Sequence, residues 1–139
     1  MKKKVIFICT GNSCRSQMGE GFLRNMAGDK IEVCSAGLKP SRVNPNAIKV
    51  MQEIGIDIAH HTSDDVKKHL GQEFDFIITV CDNAKENCPI FPGMGKRIHW
   101  SFKDPADAVG NEEEVLNEFR KIRDQIKSTL EKFVNEQNL

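Results

Sequence analysis

The chain has 139 residues, 39% of them hydrophobic and 29% charged, which are the proportions of one soluble globular domain over residues 1–139. Its 20 lysines and arginines equal its 20 aspartates and glutamates, so no basic excess points to a nucleic acid or an anionic membrane. Any anion must then be held by a local site. No run approaches the roughly 20 apolar residues of a bilayer span. The apolar stretch after the first lysines meets Thr10, Gly11 and Asn12 too soon for a signal peptide. Five cysteines in a chain read as cytoplasmic fit reduced thiols available for chemistry.

Taken in chain order, hydrophobic periodicity alternates between strand and helix. Residues 4–8 read as a strand ending at Cys9, and residues 16–27 as a helix through Met18, Phe22, Leu23 and Met26. Residues 31–35 form a second strand before the turn Ala36-Gly37. Residues 45–54 form a helix with Ala47, Ile48, Met51 and Ile54 on one face and Gly55 as its stop. Residues 64–70 suggest a weaker helix capped by Thr62 or Ser63. Residues 74–80 are the strongest strand, an apolar run around Asp75 suited to a buried parallel strand. A short helix over 82–87, a strand over 97–99 and a long helix over 111–134 complete the chain. This order predicts an α/β domain: a four-stranded parallel sheet with helices on both faces.

Ligands of open parallel sheets bind beyond the carboxyl ends of the strands. Cys9, Cys81 and Asp104 follow the first, third and fourth strands, so the topology brings them to one edge. Between Cys9 and Arg15 run Thr10, Gly11, Asn12, Ser13 and Cys14, with Ser16 beyond. Successive N–H groups of such a loop, curling into a helix N-terminus, form a nest for a tetrahedral oxyanion. Gly11 permits positive φ and Asn12 tolerates it. Arg15 offers a planar fork to two oxygens. The same field lowers the pKa of Cys9, making a thiolate that attacks the bound anion. Ser16 is placed to donate to that sulfur, while Cys14 is read as packing. A departing oxygen needs a proton, and Asp104, stiffened by Pro105, is the candidate general acid.

Cys81 and Cys88 are separated by six residues, which is not a common zinc spacing, and no second Cys/His pair follows. A rigid helix between them would hold the sulfurs too far apart to bond, so a disulfide there requires the segment to bend or unwind. The plainer alternative makes both packing cysteines. Cys34 is read as a core cysteine, and His60, His61 and His99 as structural. Trp100 and Phe102 are read as core.

The loop with Asp104-Pro105-Ala106 resembles the low-molecular-weight protein tyrosine phosphatases. Those enzymes wall their groove with aromatics, whereas this chain has no tyrosine. The runs Cys9 to Met18, Val80-Cys81-Asp82, Asn87-Cys88-Pro89 and His99 to Ala106 resemble the thioredoxin-coupled arsenate reductases, which share that fold. Ser35-Ala36-Gly37, Val43-Asn44-Pro45 and His61-Thr62-Ser63-Asp64 extend the likeness over nearly the whole chain. The resemblance implies that Cys9 attacks arsenate, that Arg15 steadies the charge and that Asp104 protonates the leaving hydroxyl. It also implies a relay: Cys81 displaces arsenite from Cys9, Cys88 then attacks Cys81, and thioredoxin reduces the Cys81–Cys88 disulfide. Phosphate and sulfate are the expected competitors. No organic cofactor is required; a potassium ion is implied at Asn12, Glu20, Ser35 and Asp64, oxygen donors suited to a hard cation. The alternative is a phosphatase or other phosphomonoesterase using Cys9, Arg15 and Asp104 alone.

Overall fold

The computed structural model of the protein describes residues 2–82 and 91–139. Strands β1 (Lys3–Cys9), β2 (Ile31–Gly37), β3 (Phe76–Thr79) and β4 (Lys96–His99) make one parallel sheet in the order β2-β1-β3-β4. The described helices are α1 (Arg15–Ala27), α2 (Pro45–Gln52) and α3 (Glu112–Glu136), with 3-10 helices at Val66–His69 and Pro105–Asp107. None of them is long and apolar enough to cross a membrane.

Strand β1 is apolar throughout because both of its faces are buried. Val5, Phe7 and Cys9 point into the larger core with α1, α2 and α3. Ile6 and Ile8 point the other way, into a smaller core with Ala36, Phe74, Ile77 and Phe91, against which Val66 of the first 3-10 helix packs. The two-residue alternation of a strand thus decides which side chains meet which layer. Helix α3 begins with a full capping box between Asn111 and Glu114. It buries Leu116, Phe119, Ile122, Ile126, Leu130 and Phe133 along one face at helical spacing, while Val115 is only partly buried.

Three local expectations are corrected. The buried face of α2 runs through Ala47, Val50 and Met51; Ile54 lies past the helix end and is 39% exposed. Residues 64–70 do not form an α-helix: only Val66–His69 winds, as a 3-10 turn. Its cap is Asp65, whose side chain accepts from the Lys67 N–H, rather than Thr62 or Ser63, and Gly71 at φ +85° ends the segment. The short helix expected over 82–87 lies, apart from Asp82, outside the described residues.

Phe133 seals the far end of the α3 stripe, edge-on to Phe76 at 5.1 Å and to Trp100 at 5.6 Å between ring centroids. Phe133→Ala is expected to cost about 3–5 kcal/mol. Urea denaturation should show a lower midpoint at unchanged slope, with phosphate binding to the folded variant preserved.

Candidate active site

In the strand order β2-β1-β3-β4, the chain leaves β1 with neighbours on both sides, which opens a crevice at its carboxyl end. Cys9 is the last residue of β1, and α1 begins at Arg15. Every carbonyl of the loop between them from Thr10 to Ser13 is held from outside. Lys39 N–H donates to Thr10 O at 2.8 Å, Ser41 N–H and Ser63 Oγ donate to Gly11 O, Gln17 Nε2 donates to Asn12 O at 3.0 Å, and Asn44 N–H donates to Ser13 O at 3.0 Å. A planar trans peptide points its N–H opposite to its C=O. Tying four carbonyls outward therefore turns the N–H groups of residues 11–14 inward, above an α1 N-terminus that no side chain caps.

The bend that makes this possible sits at Asn12, whose φ is +46°. Of the two residues able to take positive φ, Gly11 does not adopt it; a Cβ there would meet nothing nearer than 3.8 Å. Asn12 is fully buried and is the hub of the site. Its Oδ1 accepts from Asp64 N–H at 2.7 Å, which fixes the amide orientation. Its Nδ2 then donates to Ser35 Oγ and to Ser16 Oγ, both at 2.9 Å. Because Ser16 accepts from Asn12, its hydroxyl proton is free to face the Cys9 sulfur, 2.9 Å away.

Arg15 is 3% exposed. Its Nη1 donates to Phe102 O at 3.1 Å and its Nη2 lies 3.4 Å from Asp104 Oδ2. Asp104 Oδ1 accepts from Ala106 N–H, capping the Pro105–Asp107 turn, so the acid is held from behind. The thiol of Cys81, fully buried just past β3, donates to Ile8 O at 3.9 Å, beside Cys9. Cys88 lies outside the described residues. Cys14 is buried and its thiol is pushed up to about 12, by burial first and then by the Asp104 carboxylate. That keeps it protonated and unreactive. Burial, ahead of the Glu20 carboxylate, likewise raises Cys34 to about 12; it is half-buried in β2 rather than in the core proper. Phe102 is buried and Trp100 packs against the core, as expected.

Asn12, Glu20, Ser35 and Asp64 converge, and each brings oxygen atoms to the cluster. Asn12 turns its N–H2 toward Ser35. Ser35 Oγ accepts from Asn12 and donates to Glu20 Oε1 at 2.6 Å. The second Glu20 oxygen takes Arg24 Nη2 at 2.7 Å. Asp64 is engaged by Thr62 Oγ1 and lies 3.5 Å from Lys68 Nζ.

Sequence reasoning missed three supports. Gly37 ends β2 against the loop: a Cβ there would lie 2.6 Å from Thr10 O and 2.8 Å from Asn12 N. Gln17 joins Asn12 O to Thr62 O. His61, set aside as structural, carries a side chain only 2% exposed, with Nδ1 3.0 Å from Gln17 Oε1 and Nε2 2.9 Å from Arg24 Nη1. Only the Ala36-Gly37 turn offered a signal in the sequence; the other two depend on pairings across 44 and 45 residues.

Gly37→Ala should weaken phosphate binding by up to about a hundredfold, the cost of roughly 1 Å of misplacement, while Gly11→Ala leaves it nearly unchanged; isothermal titration distinguishes them. Burial holds His61 below its ordinary 6.5, outweighing Glu20, which favours the cation; Arg24 and His60 act with burial. The unfolded chain therefore protonates first as the pH falls. The stabilisation is complete above pH 6.5 and is lost below it, through the lowered folded pKa. Thermal melts from about pH 8 to about pH 5 should show this decline, and His61→Gln should flatten it in part, since burial also lowers His69.

Residues 4–139 match the family model described as low molecular weight phosphotyrosine protein phosphatase. The chain is 49% identical over 134 residues to the arsenate reductase of Halalkalibacterium halodurans and 46% identical to that of Bacillus subtilis, covering 96% of each chain in both comparisons. It superposes on a solved arsenate reductase in the phosphate binding state with a TM-score of 0.79 at 37% identity, covering 96% of this chain and 98% of the other. A low molecular weight protein tyrosine phosphatase of T. tengcongensis, 20% identical with a TM-score of 0.77 over 97% of this chain and 99% of the other, shares the fold. By fold, loop and sequence, this chain belongs to the low molecular weight phosphotyrosine protein phosphatase family.

Proposed function

We propose that the protein is a cytoplasmic arsenate reductase that uses thiols as its electron source. The observation that carries the reading is the pairing of an oxyanion loop at Cys9 with a second thiol, Cys81, whose sulfur rests on the carbonyl of the residue before Cys9. A hydrolase has no use for that second thiol.

In this reading arsenate enters the loop and its oxygens replace solvent at the N–H groups of residues 11–14 and at Arg15. The Cys9 thiolate attacks arsenic, a sulfur–arsenic bond forms, and Asp104 gives a proton to the oxygen that leaves as water. Cys81 then attacks the Cys9 sulfur. The sulfur–arsenic bond breaks with its electron pair passing to arsenic, so arsenic(V) leaves as arsenite and a Cys9–Cys81 disulfide remains. Cys88 attacks Cys81, releasing Cys9 as a thiolate, which Ser16 stabilises by donating a hydrogen bond. An external dithiol such as thioredoxin reduces the resulting Cys81–Cys88 disulfide. Phosphate and sulfate would occupy the same loop without being reduced.

The decisive measurement is multiple-turnover arsenate reduction with thioredoxin. Cys88→Ser should retain one arsenite per enzyme and lose further turnover; sustained turnover overturns the relay. Asp104→Asn should slow arsenite formation by about 10²–10⁴-fold, and Cys9→Ser should abolish it. The competing phosphomonoesterase reading predicts fast aryl phosphate hydrolysis indifferent to loss of Cys81 and Cys88.

A further inference from the structure

The sequence balances 20 cations against 20 acids, so no net charge draws an anion to the chain as a whole. Around the loop the balance is local. Lys39 and Arg42 stand on the segment 38–44, which follows β2 and holds the loop from outside. Lys39 N–H itself donates to Thr10 O, and Arg42 lies between Ser41 and Asn44, which donate to Gly11 O and Ser13 O. Lys103 lies between Phe102, whose carbonyl accepts from Arg15 Nη1, and Asp104, 3.4 Å from Arg15 Nη2. All three residues are exposed. Among the described residues, none of their charged groups makes a hydrogen bond or ion pair. Elsewhere Arg24, Lys49, Arg120 and Arg123 are paired with acids. Of the acids on the loops around the site, Asp104 is matched by Arg15 and Asp64 by Lys68, while Asp65 and Asp107 offset the three cations in part.

We infer that Lys39, Arg42 and Lys103 form a cationic rim that gathers tetrahedral oxyanions at the loop. The inference deepens the proposed arsenate reduction and rests on that reading. Arsenate and phosphate are largely dianions near neutral pH, so each rim charge acts on them doubly. Arsenous acid, the form of arsenite at that pH, is uncharged and feels no such pull, so the rim favours entry of substrate without retaining product. Its attraction passes through water rather than by contact, and salt screens it over about 10 Å at 0.1 M. Contact with the bound oxygens stays with Arg15 and the loop N–H groups.

The test is calorimetric titration with inorganic phosphate at ionic strengths from about 50 mM to about 1 M, set with choline chloride. Wild type should lose affinity steadily as salt rises. The triple variant Lys39→Gln/Arg42→Gln/Lys103→Gln should bind about fivefold more weakly at the lowest salt, and the two curves should meet at the highest. Arg42→Lys, which keeps the charge, should follow wild type throughout. A control carries the same charge change at the amino end of the sheet, where Lys30 precedes β2, Lys96 opens β4 and Lys132 adjoins Phe133. That variant, Lys30→Gln/Lys96→Gln/Lys132→Gln, should stay close to wild type. A triple rim variant with wild-type affinity at the lowest salt overturns the rim. So does a deficit of equal size at every salt, which marks a structural role, or an equal loss in the control, which marks net charge alone. Wild type that binds no phosphate at any salt strikes the loop reading itself, and the rim with it.

Discussion

The direction of four peptide planes decides what the end of β1 can do. With the carbonyls of residues 10–13 tied to Lys39, Ser41, Ser63, Gln17 and Asn44, the opposed N–H groups gather on one side. The positive end of the α1 dipole, about half an elementary charge, lies beneath them. This orientation has a cost. Asn12 in the left-handed region is strained by about 1–3 kcal/mol, and each outer hydrogen bond contributes only about 1 kcal/mol net. Several such bonds are needed to offset one strained residue, which explains why the loop is surrounded on every outward side. It also explains why a single Cβ at Gly37 is expected to matter although Gly37 lies outside the loop.

The same arrangement separates two cysteines five residues apart. Cys9 ends a strand and meets the Ser16 hydroxyl, a donor oriented by Asn12. Cys14 faces the apolar core, where burial and the nearby Asp104 carboxylate both disfavour a thiolate. Arg15 and Arg24 divide the positive charge in a parallel way. Arg15 is turned inward, toward Phe102 and Asp104; Arg24 is turned outward and neutralises Glu20. In the proposed reading the first meets the oxyanion, while the second neutralises the buried Glu20.

Much of this was legible in the sequence, and the parts that were not share a physical origin. Strand β1 and helix α3 follow from period and apolar content alone, because their burial is a property of their own residues. The Cys9-to-Arg15 loop followed from residue types at a strand–helix junction. Residues 64–70 failed because apolar spacing there is weak and the backbone between Asp65 and Gly71 is set by contacts with β2, including the Gly37–Asp65 bridge. Which of Gly11 and Asn12 takes the positive φ was open for a different reason. Either residue can adopt positive φ, and only the tertiary bond from Asp64 N–H to the Asn12 side chain selects which one does. Likewise the four residues grouped for a potassium ion do converge, but the hydrogen bonds among them, set by Asp64 and Arg24, are encoded by no spacing rule.

Sheet geometry bears on whether the thiols of the proposed relay can meet. Continuing the β1–β3 register by one step sets Cys9 opposite Val80, so Cys81 lies one residue further along a neighbouring strand path. Strands about 4.8 Å apart with a rise of about 3.3 Å per residue put such diagonal Cα atoms about 6 Å apart, inside the range a disulfide requires. Both sulfurs belong to the same core cluster, so the first exchange needs little movement of backbone. The second exchange is different in kind. Cys81 is fully buried, and a sulfur in the core cannot be reduced by a protein partner. Within the proposed relay, reduction at the Cys81 sulfur itself therefore requires it to leave the Ile8 carbonyl and the core together. The weak thiol bond it gives up, at 3.9 Å, is a small part of that cost; loss of apolar burial around the sulfur is the larger part.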